Sequence, residues 1–293
     1  MGILEALLQG VLQGLTEFLP VSSSGHLSLF QHFFGISGES ALFFTVMLHL
    51  GTLAAVVAAY YKTLWLMIKE FFGMIGDIFT GKFSYKQANE ERKMVIMMII
   101  ALLPLLVLYL AKDFFSSLAE DSDIMVEGVC FLFTGSLLFI ADKSIKGKKT
   151  VVDMKMRDGL TIGAFQGIAM LPGVSRSGST VSAGLLCGLS REKAVEFSFI
   201  LGVPTILAAS AVEFREAYQA GIEIELIPIV IGVVTSAVVG FFAIKLISWL
   251  VKTNKFGIFA YYALVLGTVV IVIGAIEMFT GQSITALVSG LMA

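Results

Sequence analysis

Six apolar runs, at about 41–61, 94–111, 124–141, 194–213, 226–251 and 257–280, dominate this chain. A helix needs roughly 20 apolar residues to cross the hydrocarbon core of a bilayer, so each run is expected to be a span. Two further apolar regions, 2–35 and 156–188, are broken in the middle, by Leu19-Pro20-Val21-Ser22-Ser23-Ser24-Gly25 and by Leu171-Pro172-Gly173-Val174-Ser175-Arg176-Ser177-Gly178. Their flanks are only about 10–17 residues long, short for a span and typical of a re-entrant hairpin. The expected architecture is an all-α polytopic membrane protein with six transmembrane helices and two re-entrant helical hairpins. Composition agrees, because 14% charged residues in 293, against roughly 25% in soluble domains, leave too little polar surface for a water-soluble globule. Unbroken apolar runs without alternation argue against an outer-membrane barrel, and a net charge of −2 argues against a nucleic-acid partner.

Basic residues set the expected orientation. Lys62, Lys69, Lys82, Lys86, Arg92 and Lys93 lie in the connection 62–93, and Lys143, Lys146, Lys148, Lys149, Lys155 and Arg157 in the connection 142–157. Both should be cytoplasmic, with the basic run 143–149 also contacting anionic lipid. With six spans and two hairpins, Arg191, Lys193, Lys252 and Lys255 fall on the same side, whereas the acidic connections 112–123 and 214–225 hold only Lys112 and Arg215. Both termini then face outward. The N-terminus lacks a basic n-region, so a cleaved signal peptide is not expected. Cys130 and Cys187 stand alone in apolar surroundings and read as packing residues.

The two broken regions match at a constant offset of 153 residues. Glu5 pairs with Asp158, Gly10 with Gly163, Gln13 with Gln166, Gly14 with Gly167, Ser22 with Ser175, Ser24 with Ser177 and Gly25 with Gly178; Phe44 with Phe197 and Thr52 with Thr205 carry the register onward. The chain is therefore expected to be two halves, 1–150 and 151–293, each a hairpin plus three spans. Because three crossings separate them, the second copy is inverted. Binding sites of such folds lie on broken helices at the repeat interface, where the two polar loops should meet.

Ionisable groups at membrane depth are functional candidates by default. Gln13 and Glu17 lie four residues apart on one helix face and point toward the turn Ser22-Ser23-Ser24-Gly25-His26. The stripes Ala6, Gly10, Gly14 and Gly159, Gly163, Gly167 read as packing devices, within one chain or between two, which allows a homodimer. The copies diverge where chemistry would demand it: Glu17 corresponds to Met170, Ser23 to Arg176 and His26 to Ser179. Arg176, flanked by Ser175, Ser177, Gly178, Ser179 and Thr180 before a short helix, has the makings of a phosphate site. Two such turns face to face would cradle a group with more than one phosphate, with Glu17 able to hold a divalent cation or accept a proton. Blander readings exist: the Glu and Arg as a structural bridge, the serines as helix caps, His26 as a satisfied polar residue. They do not account for the gathering of all these groups in two loops. His32 and His49 lack such neighbours and read as structural or interfacial; Glu196 reads as a buried partner of Arg191 or Lys193.

The stretch Gln13-Gly14-Leu15-Thr16-Glu17-Phe18-Leu19-Pro20-Val21-Ser22-Ser23-Ser24-Gly25-His26 and the stretch Leu171-Pro172-Gly173-Val174-Ser175-Arg176-Ser177-Gly178-Ser179-Thr180 resemble the two motifs of the undecaprenyl-pyrophosphate phosphatase family, also called the bacitracin-resistance proteins. The resemblance covers essentially the whole chain. It implies a bacterial inner-membrane enzyme that removes the terminal phosphate from the C55 isoprenoid pyrophosphate, recycles the lipid carrier for peptidoglycan synthesis and confers bacitracin resistance. By position it implies Glu17 as the acidic catalytic or metal-associated residue, Ser23 as nucleophile, His26 as acid/base and Arg176 as phosphate clamp. Ser22, Ser175 and Thr180 would be supporting contacts, and Gln13, Ser24, Gly25, Ser177 and Gly178 complete the substrate-binding set. The expected cofactor is Mg²⁺ or Ca²⁺, with Ser23 or a water attacking the terminal phosphorus. The family's first motif more often begins with Glu where this chain has Gln13, and has Thr where it has Ser24. Gln13 can ligate through its carbonyl but cannot act as a base. The alternative reading is a transporter or flippase of the lipid phosphate or a small anion.

Overall fold

The structure, a computed structural model, describes residues 2–36, 38–110, 124–144, 147–171, 173–219, 225–253 and 255–284. The whole acidic connection 112–123 with Lys112, as well as Lys146 and Pro172, lies outside the described residues. The helices are α1 (Ile3–Phe18), α2 (Ser23–Phe34), α3 (Glu39–Phe79), α4 (Glu90–Tyr109), α5 (Met125–Lys143), α6 (Met156–Ile168), α7 (Arg176–Leu186), α8 (Arg191–Gln219), α9 (Leu226–Lys252) and α10 (Ile258–Thr280). Among the described residues there is no strand, only a bridge between Lys149 and Leu189. The protein is an all-α polytopic membrane protein.

Among the described residues five helices, α3, α5, α8, α9 and α10, are long and apolar enough to cross a bilayer. The remaining expected span, α4, opens on Glu90, Glu91, Arg92 and Lys93 before its apolar part begins. The helices around the two broken motifs have 16, 12, 13 and 11 residues. At 1.5 Å per residue they reach about 17–24 Å, less than the ~30 Å of hydrocarbon. None can cross alone.

One expectation is corrected. The run 41–61 does not end in a long loop, because α3 continues for 41 residues to Phe79 with a kink at Tyr60 (φ −116°, ψ 24°). Lys62 and Lys69 lie on this extension with their ammonium groups over Tyr61 and Trp65, so aromatic rings carry the charges without interrupting the helix.

Small residues decide which helices touch. A Cβ added to Gly10 would sit 2.8 Å from the Gly232 carbonyl oxygen and one on Gly14 2.8 Å from that of Ser236, both on α9; one on Gly163 would lie 2.1 Å from the Ala101 oxygen on α4. The stripes thus bring α1 onto α9 and α6 onto α4. In the main core Phe18 of α1 packs edge-on to Phe199 of α8 at 5.2 Å.

Charges gather at the end of the bundle where the basic connections emerge. Arg92 joins Glu70 (2.8 Å) and Asp77 (2.6 Å), Arg191 joins Asp142 (2.6 Å), and Lys193 joins both Glu90 (2.7 Å) and Glu196 (2.9 Å). The expected partner of Glu196 is therefore Lys193. His32 meets Glu277 at 3.0 Å, a tie between α2 and α10.

Candidate active site

Both broken motifs end in a capped helix. Ser22 caps α2 by accepting from Gly25 N (3.2 Å), and Ser175 caps α7 by accepting from Gly178 N (3.0 Å). Ser22 does so at φ 71°, a left-handed conformation that a side chain disfavours. Such strain persists where surroundings over-determine it, and such outliers cluster at functional sites.

The two turns touch. Gly173 N donates to Ser24 Oγ (3.3 Å), Ser177 Oγ donates to the Leu19 carbonyl (3.5 Å), and a Cβ on Gly178 would lie 3.2 Å from the Pro20 oxygen. Thr134 on α5 steadies the second turn, its Oγ1 accepting from Ser175 N at 3.2 Å. Two helix N-termini, each the positive end of a helix dipole, therefore start from loops in mutual contact.

Between them lies Glu17, buried. Its Oε1 accepts from Arg176 Nη2. Its Oε2 accepts from Gln13 Nε2 (3.0 Å) and from Ser23 Oγ (2.7 Å). Arg176 also donates through Nη1 to the Ser198 carbonyl (3.3 Å), and its guanidinium lies against Gly202 of α8, where a Cβ would come within 2.1 Å of Nη1. Thr180 supports this side, its hydroxyl 2.6 Å from that of Ser198. Glu17, Ser23, Gln13 and Arg176 form one connected group from opposite halves of the chain.

His26 is adjacent but turned away. Its Nδ1 lies 2.7 Å from the Ser22 carbonyl, which can only accept, so Nδ1 carries the proton; Nε2 then accepts from the Tyr262 hydroxyl (2.8 Å). His49 corrects an expectation: read from sequence as structural or interfacial, it lies 3.6 Å through Nε2 from Glu17 Oε2. Its Nδ1 is committed to the Thr45 carbonyl (2.8 Å), so Nε2 is the free face and it points at the carboxylate. Gly202, Tyr262 and His49 are the residues sequence reading missed. For His49 a signal existed: Thr45, His49 and Thr52 recur at helical spacing within an apolar run.

The oxygen atoms open to a cation are few. Gln13 Oε1 is buried without a hydrogen-bond partner, beside Glu17. Among the described residues no cluster of three or more His, Cys, Asp or Glu forms. One carboxylate and one orphaned amide oxygen fit a hard cation that arrives with phosphate and keeps much of its water, as Mg²⁺ does.

Comparison with known sequences gives the family. Residues 6–269 match the family described as bacitracin resistance protein BacA. The chain belongs to the BacA family. Three similar relatives are each named undecaprenyl-diphosphatase: one from Alkaliphilus metalliredigens is 39% identical, covering 91% of this chain and 97% of its own. The second, from Halothermothrix orenii, is 35% identical over 94% of this chain and all of its own. The third, numbered 4, from Bacillus thuringiensis subsp. konkukian, is 36% identical over 95% and 100%. In this BacA-family chain both motifs named from sequence fall in the two touching turns, with Glu17 and Arg176 at their junction.

Proposed function

We propose that this protein is an undecaprenyl-diphosphatase, an integral membrane hydrolase that releases the terminal phosphate of undecaprenyl pyrophosphate and so returns the carrier lipid to peptidoglycan synthesis. The observation that carries the reading is the hydrogen bond from Ser23 Oγ to Glu17 Oε2, a nucleophile in contact with a base. Family membership supplies the substrate.

The pyrophosphate takes Arg176 from Glu17, pairing with the guanidinium fork and with the first-turn N–H groups of α2 and α7. Ser24, exposed, stands at the mouth of the cradle. Once Arg176 has turned to the phosphate, Glu17 is free to accept the Ser23 proton. Ser23 Oγ bonds to the terminal phosphorus as the bond to the bridging oxygen breaks, and the lipid monophosphate leaves. Water then cleaves the phosphoserine. His26 is the second proton carrier, and reaching the leaving oxygen requires it to release Tyr262. A divalent cation held by Glu17 and Gln13 Oε1 would neutralise charge on the phosphates.

The same reading makes residues 1–150 and 151–293 inverted copies whose hairpins re-enter from opposite faces of the bacterial cytoplasmic membrane, with both termini outside. Two features support it: each half begins with a pair of short helices followed by a long one, and α1 packs on α9 as α6 packs on α4, the exchange expected of related halves.

Release of inorganic phosphate from undecaprenyl pyrophosphate by purified protein, with and without a chelator, is the test. Release that is lost in Ser23→Ala and Glu17→Gln supports the reading. Lipid movement in proteoliposomes with no phosphate release would replace it with transport.

A further inference from the structure

Helices α3 and α9 run side by side in the same direction. Phe44 and Leu48 pack on Gly232, Gly51 on Ser236 and Ala55 on Gly240, and Ser236 Oγ donates to the Leu48 carbonyl (2.9 Å). Beyond Gly240, α3 kinks at Tyr60. The two helices there enclose an open groove of about 470 Å³. The apolar Ala58, Ala59, Phe241 and Ile244 line it together with the polar Tyr60, Lys245, Ser248 and Lys252.

The level of this groove relative to the bilayer is marked by aromatic residues. The chain has two tryptophans, Trp65 and Trp249, and both are exposed, at 57% and 54%. Each has a lysine ammonium over its ring, Lys69 at 5.3 Å and Lys255 at 5.7 Å. Exposed Trp with neighbouring Lys is the signature of the headgroup layer. Lys245 lies one helical turn before Trp249, about 6 Å deeper along α9. Among the described residues Lys245 has no ion pair, its Nζ resting 4.4 Å over the Phe241 ring; Lys252 has only Glu192, at 4.0 Å. A lysine at the edge of the hydrocarbon, without a carboxylate and beside an apolar cleft, is complementary to an anion that brings its own acyl chains.

We infer that the groove between α3 and α9 binds an anionic phospholipid of the bilayer, its headgroup phosphate between Lys245 and Lys252 and an acyl chain along Ala58, Ala59, Phe241 and Ile244. The site is separate from the catalytic turns and does not depend on their chemistry.

Native mass spectrometry of the full-length protein, equilibrated with phosphatidylglycerol or with phosphatidylcholine of the same chains, tests this. Wild type is expected to retain phosphatidylglycerol preferentially. Lys245→Gln/Lys252→Gln should lose at least about fivefold of that retention, as removal of two headgroup-level charges predicts, and Lys245→Arg/Lys252→Arg should keep it. Ala58→Trp, which fills the exposed side of the groove with both lysines in place, should lose it as well. Unchanged phosphate release in detergent verifies the fold of each variant. Equal retention of the two lipids by wild type overturns the proposal. So does full retention of phosphatidylglycerol by the Gln pair or, should that pair fail to fold, by Ala58→Trp.

Discussion

Glu17 and Arg176 are separated by 159 positions in the chain and share one ion pair, the carboxylate 6% and the guanidinium 19% exposed. Removing one member of a buried pair leaves its partner uncompensated, whereas removing both can be nearly neutral. Glu17→Gln and Arg176→Gln should each destabilise by about 3–5 kcal/mol and reduce phosphate release by about a hundredfold or more. The double variant should regain most of the stability and none of the activity. Thermal melts that are additive across the cycle would show that the pair is not coupled.

Ser22 combines a helix cap with a left-handed backbone. Replacing the cap by Ala costs typically ~1 kcal/mol, whereas Gly costs a few tenths and also accepts positive φ. The expected order of melting temperature is therefore wild type or Ser22→Gly above Ser22→Ala. Equal melting of the two variants would mean that the surrounding structure, rather than the cap and φ, sets this turn.

His49 faces Glu17 from outside both motifs. With Nε2 placed to help Glu17 hold and release the Ser23 proton, His49→Ala should lower kcat by about tenfold to a hundredfold with little change in KM. His49→Gln, which keeps hydrogen-bonding capacity but cannot take up a proton, should not restore kcat. A change confined to thermal stability would reduce His49 to a packing role.

Gly202 is where α8 makes room for the clamp. A methyl group there collides with the Arg176 guanidinium, so Gly202→Ala should displace it from Glu17. Overpacking of this kind costs about 1–3 kcal/mol, and phosphate release should fall toward that of the Arg176 variants. Gly202→Ala with wild-type turnover would show that Arg176 works from another position.

The two broken motifs were legible because their chemistry is local: polar residues, Pro and Gly interrupt apolar sequence, and one constant offset ties them together. Arg176 and Glu17 could be expected to meet because both are charges at membrane depth. His49 and Tyr262 could not be placed in the same way. Each is a single polar group in a helix that otherwise reads as a span, and its role comes from a partner on another helix, His49 from Glu17 and Tyr262 from His26. Gly202 was silent for a related reason, since its function is the absence of a side chain where a distant one must lie. The extension of α3 to Phe79 was hidden by Lys62 and Lys69, whose charges look like a loop in sequence and sit over aromatic rings in the helix.

The pairing of Glu17 with Arg176 also sets an order of events during synthesis. At about 5–20 residues per second, roughly 10–30 s separate the two residues leaving the ribosome. Throughout that interval the first hairpin carries a carboxylate with no guanidinium to meet it, and its turn lacks the donors that Gly173 N and the Ser177 hydroxyl later supply. The N-terminal turn is therefore made first, yet its contacts with the second turn can form only after residues 173–177 have been synthesised.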